Sequence, residues 1–203
     1  MYRFLKSIYH IFRRIYCRIK REFKLLFFFI IPNLSCIISG RLIKQGWPSI
    51  DQKTFVTGEG LVEIGKACSF GYKPGGFHRG GSIELQARYH VAFIKIGENV
   101  ATNNNVFICA AGYIEIGDDT LIGQYVTIMD FEAHGTAPDK RRQIGEVGKI
   151  IIGKNVWIGN NVVILKNSEI GNNTIIAAGA VVSGKFPENV IIAGVPAKII
   201  KSL

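Results

Sequence analysis

Aliphatic residues in the C-terminal part of the chain recur at intervals of six. The spacing is kept without a break by Ile152, Ile158, Ile164, Ile170, Ile176 and Val182, and upstream by Ile116, Ile122 and Ile128. Weaker copies begin at Ile64 and Ile96. Six is neither the period of an α-helix nor the alternation of a strand, so it predicts a repeat architecture.

A solenoid accounts for this period. Each hexapeptide would form one short side of a triangular coil, with its aliphatic residue pointing inward and Gly or Asn at the corners, where other residues avoid the required conformation. Successive coils would stack at the usual strand spacing of about 4.8 Å and pair their backbones. The sequence therefore predicts an all-β solenoid, a parallel β-helix whose inward side chains form ladders.

Two stretches interrupt the repeat. Residues 71–95 are rich in Gly, and residues 129–151 are polar. The interval from Ile128 to Ile152 is 24, four times six, so the phase survives the second interruption. Segments extruded from a solenoid are natural places for function, since the coils beneath hold them in position. We expect the repeat domain to span residues 46–203.

The first 45 residues form a separate arm with a helical pattern. Apolar side chains recur every three or four positions, and residues 1–31 contain eight Lys/Arg and one Glu. The apolar run 25–31 is too short to span a bilayer, which needs about 20 residues. A basic amphipathic helix in the membrane surface is predicted. Packing on a neighbouring subunit is an alternative, whereas a cleaved signal peptide would have an overlong charged region.

Charge and cysteine content narrow the function classes. The net charge is +10, but most of it lies in the arm, and no nucleic-acid motif is present, so a nucleic-acid partner is not expected. Cys17, Cys36, Cys68 and Cys109 are far apart and form no CxxC pair. They are interpreted as small buried residues of a reduced cytosolic protein rather than as a disulfide or metal site.

The segment MDFEAHG, followed by IGKNVWIGNNVVILKNSEIGNNTIIAAGAVV, is similar to a motif of a known protein family. The similarity extends over roughly residues 60–200. This region resembles the left-handed β-helix of the hexapeptide-repeat acetyltransferases, most closely the bacterial polysaccharide O-acetyltransferases of the maltose, galactoside and xenobiotic acetyltransferase group. The resemblance implies acetyl-CoA as donor, no metal, and a homotrimer with each CoA groove between adjacent helices. Carbonic anhydrases share the coil, but His78, His90 and His134 lack the spacing of their zinc ligands.

The chemistry of acetyl transfer to an alcohol points to His134. An alcohol attacks a thioester too slowly at neutral pH unless a base takes its proton, and a neutral imidazole suits that task. Asp130 or Glu132 could orient the ring, and the resemblance favours Asp130. No activated Ser or Cys is evident nearby, and Cys109 is interpreted as a packing residue, so direct transfer is expected.

The resemblance also implies binding residues. Trp157 would lie near the acetyl group, with Asn160, Ala178 and Ser183 along the pantetheine arm. Lys185 and Lys198 would contact the CoA phosphates. Asn103 would contact the acceptor sugar. Ala111 stands where galactoside acetyltransferases have an acidic acceptor residue, which argues against a small free sugar.

Together, the arm and the site predict an O-acetyltransferase that is cytoplasmic and peripheral on the inner face of the cell membrane. Its acceptor would be a sugar hydroxyl of a glycan or lipid-linked polysaccharide precursor. Three alternatives stay open at this point: a xenobiotic (antibiotic) O-acetyltransferase, a sugar N-acetyltransferase, and a non-catalytic membrane-associated β-helix scaffold.

Overall fold

The computed structural model describes residues 2–77 and 79–203, and within them the chain folds into a short helical arm followed by a three-sided β-helix. His78 lies outside the described residues. The helices are α1 (Tyr2–Leu25) and α2 (Leu34–Ile38). The strands are β1 (Leu42–Lys44), β2 (Ser49–Ile50), β3 (Thr54–Gly58), β4 (Leu61–Ile64), β5 (Ser69–Phe70), β6 (Ile83–Ala87), β7 (Phe93–Ile96), β8 (Ala101–Thr102), β9 (Phe107–Ala110), β10 (Tyr113–Ile116), β11 (Leu121–Ile122), β12 (Thr127–Met129), β13 (Lys149–Ile152), β14 (Trp157–Ile158), β15 (Val163–Leu165), β16 (Glu169–Ile170), β17 (Ile175–Ile176), β18 (Val181–Val182), β19 (Lys185–Phe186), β20 (Val190–Gly194) and β21 (Ala197–Ser202).

Consecutive strands belong to three different sheets, and each strand from β1 to β17 pairs with the strand three places later. The first sheet has the order β1-β4-β7-β10-β13-β16-β19, the second β2-β5-β8-β11-β14-β17-β20-β21, and the third β3-β6-β9-β12-β15-β18. Pairing within the coils is parallel, whereas β21 returns antiparallel to β20. This is the predicted parallel β-helix.

Inward side chains form one ladder on each side. In the first sheet Ile116 pairs with Ile152, which pairs with Ile170, and all three side chains are buried. The hexapeptide positions of the other sides are equally buried, with Ile158, Ile164, Ile176 and Val182 fully inaccessible. Each such burial contributes roughly 1.5–3 kcal/mol before the entropy of ordering is counted. The ladders are therefore the main source of stability.

Asparagines occupy corners with the left-handed backbone conformation. Asn155 has φ of 53° and Asn173 has φ of 57°, and the Asn155 Nδ2 donates to Asn173 Oδ1 at 3.0 Å. Asn173 in turn donates to Asn189 Oδ1 at 2.9 Å. Asn tolerates positive φ better than other non-glycine residues, which confirms the predicted use of Asn at the corners.

The β-helix begins earlier in the chain than the hexapeptide spacing predicted, and the two segments that interrupt it are shorter. Sheet pairing begins at Leu42, before the expected boundary at residue 46. Within the interval 71–95, residues 83–87 and 93–96 are strands of regular coils, so the inserted segment is 71–82. Residues 83–87 alternate buried and half-buried side chains, which is the ordinary period of two of a β-strand and carries no hexapeptide signal. The second insertion likewise reduces to 130–148.

The arm is helical, as predicted, and its C-terminal end is docked on the first coil. Helix α1 continues through a π-helical turn at Leu26–Ile30 and a 3-10 turn at Ile31–Asn33. Phe29 is fully buried and stacks on Phe70 with ring centroids 6.4 Å apart. Asn33 donates to the Thr54 carbonyl at 2.8 Å and accepts from the Val56 amide at 2.6 Å. No helix among the described residues is long and apolar enough to cross a membrane.

Three of the four cysteines are buried, in agreement with the sequence, but Cys17 is exposed. It lies on α1, among the basic residues of that helix. The expectation of a buried thiol was wrong at this position because the arm projects from the β-helix and its middle turns contact no core.

Candidate active site

The loop carrying the predicted base is a hairpin that leaves the β-helix between β12 and β13. Phe131 and Val147 form an antiparallel bridge near its base. The Glu132 amide donates to the Glu146 carbonyl at 2.9 Å, and the Gly145 amide returns a bond of 2.9 Å to the Glu132 carbonyl. Much of the hairpin backbone is thus paired with itself, which helps to fix its shape.

His134 is exposed on this hairpin, and its ring is oriented by the backbone. The Nδ1 atom lies 2.7 Å from the carbonyl oxygen of Arg141. A carbonyl oxygen can only accept, so in the neutral ring the proton sits on Nδ1 and the lone pair on Nε2. This tautomer presents a free basic nitrogen to solvent, as a general base requires.

Asp130 does not perform its predicted role of orienting His134. Its side chain is fully buried, and Oδ1 accepts from the Ala111 amide at 2.7 Å while Oδ2 accepts from the Gly112 amide at 2.9 Å. Burial raises the pKa of this carboxyl, and the backbone hydrogen bonds oppose that rise. Both oxygens are committed to the neighbouring coil, so Asp130 fixes the base of the hairpin. The orienting group is a backbone carbonyl, which no side-chain motif signals.

Glu132, the other candidate orienting residue, is also engaged elsewhere. It pairs with Lys166 Nζ at 3.2 Å, and Lys166 forms a second ion pair with Glu146. Lys166 projects from the turn after β15 and contacts both sides of the hairpin, through Glu132 on one side and Glu146 on the other. These contacts join the hairpin to the coil below it.

A cleft of about 370 Å³ along the second sheet gathers three of the predicted binding residues: Trp157, Asn160 and Asn103. Trp157 pairs with Leu121 in the sheet and keeps 57% of its surface exposed, although it is large and apolar. Asn103 uses Oδ1 to accept from the Asn104 amide at 2.8 Å. An exposed indole beside amide side chains is suited to an elongated, partly apolar ligand.

Of the remaining predicted binding residues, Ala178 lies on the corner beside Asn160, where the Gly179 amide donates to the Asn160 carbonyl at 2.9 Å, and the other three lie elsewhere. Ser183 lines a cavity of about 290 Å³ that includes Phe131 and Lys166, beside the hairpin. Lys185 forms an ion pair with Glu169 at 3.0 Å, and Lys198 is exposed on β21. Ala178 is exposed at the corner after β17, and its backbone lies against Gly159. A single chain therefore does not bring the six expected CoA contacts onto one surface.

The topology separates His134 from the Trp157 cleft. The hairpin leaves at the corner between the third and first sheets, and Trp157 lies in the second sheet. In a three-sided coil that corner is opposite the second side. The base and the cleft therefore face away from each other in one chain.

Cys109 is buried, and its Sγ donates to Gln86 Oε1 at 3.0 Å. Burial raises the pKa of this thiol to about 11, so the nucleophilic thiolate is strongly disfavoured at neutral pH. Its interpretation as a packing residue is confirmed.

Two buried polar side chains near the cleft had no counterpart in the sequence prediction. Gln52 donates from Nε2 to Asn105 Oδ1 at 3.0 Å and accepts from the Asn105 amide at 2.7 Å. Asn104 accepts from the Tyr72 amide at 3.0 Å and donates to the carbonyls of Tyr72 and Gly76. They hold the insertion 71–82 against the coils. The run of three asparagines at 103–105 was a visible signal for Asn104, whereas nothing marked Gln52.

Residues 149–184 match the bacterial transferase hexapeptide family, described as six repeats. Over 137 residues the chain is 36% identical to WbbJ of Escherichia coli K12, which is named for O-acetyl transfer in lipopolysaccharide biosynthesis. The match covers 62% of this chain and 68% of that protein. The chain belongs to the hexapeptide-repeat acetyltransferases. This confirms the predicted family, its left-handed β-helix and its acetyl-transferring activity.

Further relatives agree with this membership. The galactoside O-acetyltransferase of E. coli K12 is 39% identical over 112 residues, which cover 54% of each protein. A hexapeptide-repeat acetyltransferase of Vibrio cholerae, solved with acetyl-CoA, is 35% identical with a TM-score of 0.50, over 54% of this chain and 60% of that one. A galactoside acetyltransferase solved with coenzyme A is 26% identical, TM-score 0.53, over 91% and 80%. These matches cover from 54% to 80% of the relatives' own lengths.

Proposed function

We propose that this acetyltransferase moves an acetyl group from acetyl-CoA to a sugar hydroxyl of a glycan or lipid-linked polysaccharide precursor at the inner face of the cell membrane. The observation that carries the proposal is His134, held by the Arg141 carbonyl so that Nε2 is free, on an extruded hairpin of a hexapeptide-repeat acetyltransferase. WbbJ is named for lipopolysaccharide biosynthesis, and galactoside acetyltransferases for a sugar acceptor, which supports this class of acceptor.

The reaction proceeds by direct transfer. The acceptor hydroxyl gives its proton to Nε2 of His134 as its oxygen bonds to the thioester carbonyl carbon. The C–S bond then breaks, and the imidazolium returns its proton to the departing CoA thiolate. The ring ends in its starting tautomer, and no acyl-enzyme forms, in line with the unreactive environment of Cys109.

The working unit is a homotrimer whose CoA groove lies between adjacent chains. Support comes from the opposed positions of His134 and the Trp157 cleft in one chain. Rotation about a symmetry axis parallel to the β-helix would bring the hairpin of one copy to the second sheet of the next. Ser183 beside the hairpin and Asn160 in the cleft would then contact the same donor from two sides.

The arm attaches the enzyme to the membrane surface. Its apolar face is exposed in the described chain, and the cations occupy the opposite side. Ile15 is 50% exposed and Ile19 63%. Other large exposed apolar residues on the described part of α1 and the turn that follows it are Tyr9, Ile11, Phe12, Tyr16, Phe23, Leu26 and Phe27. An amphipathic helix of this charge gains by burying that face at an anionic headgroup boundary.

A decisive test of the acceptor is thiol release from acetyl-CoA with membrane glycolipid extracts and with simple sugars, followed by mass spectrometry. Wild type should turn over with the extract and add one acetyl group, and His134→Ala should not. Preference for an antibiotic or for an amino sugar would replace the proposed acceptor. Failure to bind acetyl-CoA at all would favour a scaffold.

Membrane attachment is tested with point variants, because deleting residues 1–31 would also remove the buried Phe29. Ile15→Gln/Ile19→Gln should sediment less with vesicles of phosphatidylglycerol than wild type, at unchanged melting temperature. The control Ile43→Gln/Val91→Gln removes two exposed apolar side chains of the β-helix and should bind normally. Equal loss by both pairs, or by neither, contradicts attachment through the arm.

A further inference from the structure

A second cavity, of about 500 Å³, lies where the arm meets the first coils. Cations reach it from three separate segments: Lys20 and Lys24 from α1, Lys53 from the corner before β3, and Lys73 and Arg79 from the insertion. We call this the cationic pocket. Because its lining combines residues far apart in sequence, the cluster is a product of the fold rather than of a local basic run.

The described residues that line the cationic pocket include more cations than carboxylates. Among the described residues that line it, Asp51 is the one carboxylate, and it already forms an ion pair with Lys24. Lys20, Lys53, Lys73 and Arg79 converge without an acidic partner in the lining. Like charges held near one cavity repel one another, and an anion bound between them removes that cost. The pocket is thus suited to a ligand with more than one negative charge.

The insertion that supplies Lys73 and Arg79 is fixed to the coils. Gln52 is buried and its Nε2 donates to Asn105 Oδ1 at 3.0 Å and to the Gly80 carbonyl at 3.4 Å. Gly81 has φ of 87°, and a Cβ there would collide with the Asn105 side chain. The backbone on which the two cations stand is therefore positioned before any ligand arrives.

The same insertion borders the Trp157 cleft. Gly71 and Tyr72, at its start, line the cleft, and Lys73 and Arg79 line the cationic pocket. The third neighbour of the pocket is α1, whose exposed apolar face would lie in the membrane. One ligand could therefore place hydrocarbon along the arm, a polyanionic group in the pocket, and a sugar across the insertion toward the cleft.

We propose that the cationic pocket binds the diphosphate of a lipid-carried glycosyl diphosphate, which is the acceptor of the acetyl group. A diphosphate offers several acceptor oxygens for ammonium groups and a bidentate surface for the Arg79 guanidinium. This inference rests on the proposed function and adds to it the chemical group that links the sugar to its lipid. The pocket would also account for the density of lysines at the end of α1.

The test uses the full-length protein and the variant Lys53→Gln/Arg79→Gln. Both side chains are exposed, so folding should be unaffected. The probe is a phosphatidylcholine vesicle containing a small fraction of an isoprenoid diphosphate, compared with plain phosphatidylcholine vesicles and with soluble inorganic pyrophosphate. The double variant should lose about tenfold in affinity per cation for the diphosphate vesicles. The control Lys66→Gln, whose lysine pairs with Glu98 at another corner, should bind as wild type does.

Activity on a water-soluble acceptor separates this inference from the proposed function. Thiol release with such an acceptor should be the same in wild type and in Lys53→Gln/Arg79→Gln, because neither residue belongs to the His134 or Trp157 regions. Equal binding of wild type and double variant to diphosphate vesicles would overturn the pocket assignment and leave the acetyl transfer intact. Pyrophosphate binding that depends on the two residues, with no gain from the lipid carrier, would overturn the assignment of a lipid-linked ligand.

Discussion

The β-helix extrudes two segments, and they are held in place in different ways. The hairpin 130–148 is paired along its own length and joined to the coil through Asp130 and Lys166. Among its described residues, the insertion 71–82 has few internal hydrogen bonds, and it is held by Gln52 and Asn104, which belong to neighbouring coils. The hairpin can therefore hold a catalytic side chain in a fixed orientation. The position of the insertion depends on the coils that surround it.

The two segments also leave from different corners. The hairpin lies opposite the second sheet, whereas the insertion borders the cleft on that sheet and the cationic pocket beyond it. Base and binding surface are thus distributed over the molecule, and the proposed trimer unites them.

The largest effect on acetyl transfer is expected from removing the imidazole of His134 on the hairpin. His134→Ala should reduce acetyl transfer about 10²- to 10⁴-fold, because the acceptor loses its general base. The melting temperature should stay unchanged, since the side chain is exposed and its hydrogen bond is to a backbone carbonyl. Thiol release from acetyl-CoA measures the rate, and His90→Ala, another exposed histidine, is the control. Full activity of His134→Ala would remove the proposed mechanism.

Removing the hairpin's attachment should mainly affect stability. Asp130→Ala leaves the amides of Ala111 and Gly112 unpaired in a buried site, so the free energy of unfolding should fall by about 3 kcal/mol. Asp130→Asn retains one acceptor oxygen and should lose less. Denaturant unfolding measures the change, with the exposed Asp139→Ala as control. A normal stability combined with an altered pH profile of the rate would instead return Asp130 to a role beside His134.

Loosening the insertion should produce a smaller loss of stability with a local readout. Gln52→Ala removes both hydrogen bonds to Asn105, and we expect a cost of about 1–2 kcal/mol. Limited proteolysis should cut first within residues 71–82, and thiol release with a soluble acceptor should persist. Cleavage in the hairpin instead would show that the two segments are coupled.

Much of this architecture could be predicted from the sequence, because inward aliphatics every six residues leave one way of burying them. The position of His134 followed from its motif. The role of Asp130 could not be predicted from the sequence. An aspartate close in sequence to a catalytic histidine can face either the imidazole ring or backbone amides, and the sequence does not distinguish the two. The cationic pocket was equally hidden, since Lys24, Lys53 and Arg79 meet through folding rather than through spacing.

The smallest effect concerns acid conditions. A hydrogen bond from Lys95 and one from Tyr113 lower the pKa of Glu115, and a hydrogen bond from Lys154 lowers that of Asp118. A lowered folded-state pKa gives stability that is present above the ordinary carboxyl pKa and is lost as the pH falls through the folded value. Glu115→Gln should therefore reduce the loss of unfolding free energy at acid pH by a few tenths of a kcal/mol. The effect is small because the Glu115–Lys95 pair is partly exposed. Unfolding curves from neutral pH downward measure it, with Glu59→Gln as control.

Complementation between two impaired variants tests whether neighbouring copies share one active site. His134→Ala keeps the Trp157 cleft, and Trp157→Ala keeps the hairpin, so each homo-oligomer should be impaired in acetyl transfer. Unfolding and refolding the two together should create interfaces that combine one intact hairpin with one intact cleft, and thiol release should rise well above that of either variant alone. If the mixture never exceeds the sum of its parts while mixed oligomers are detected by mass, the site is complete within one chain, and the proposed division between copies is wrong.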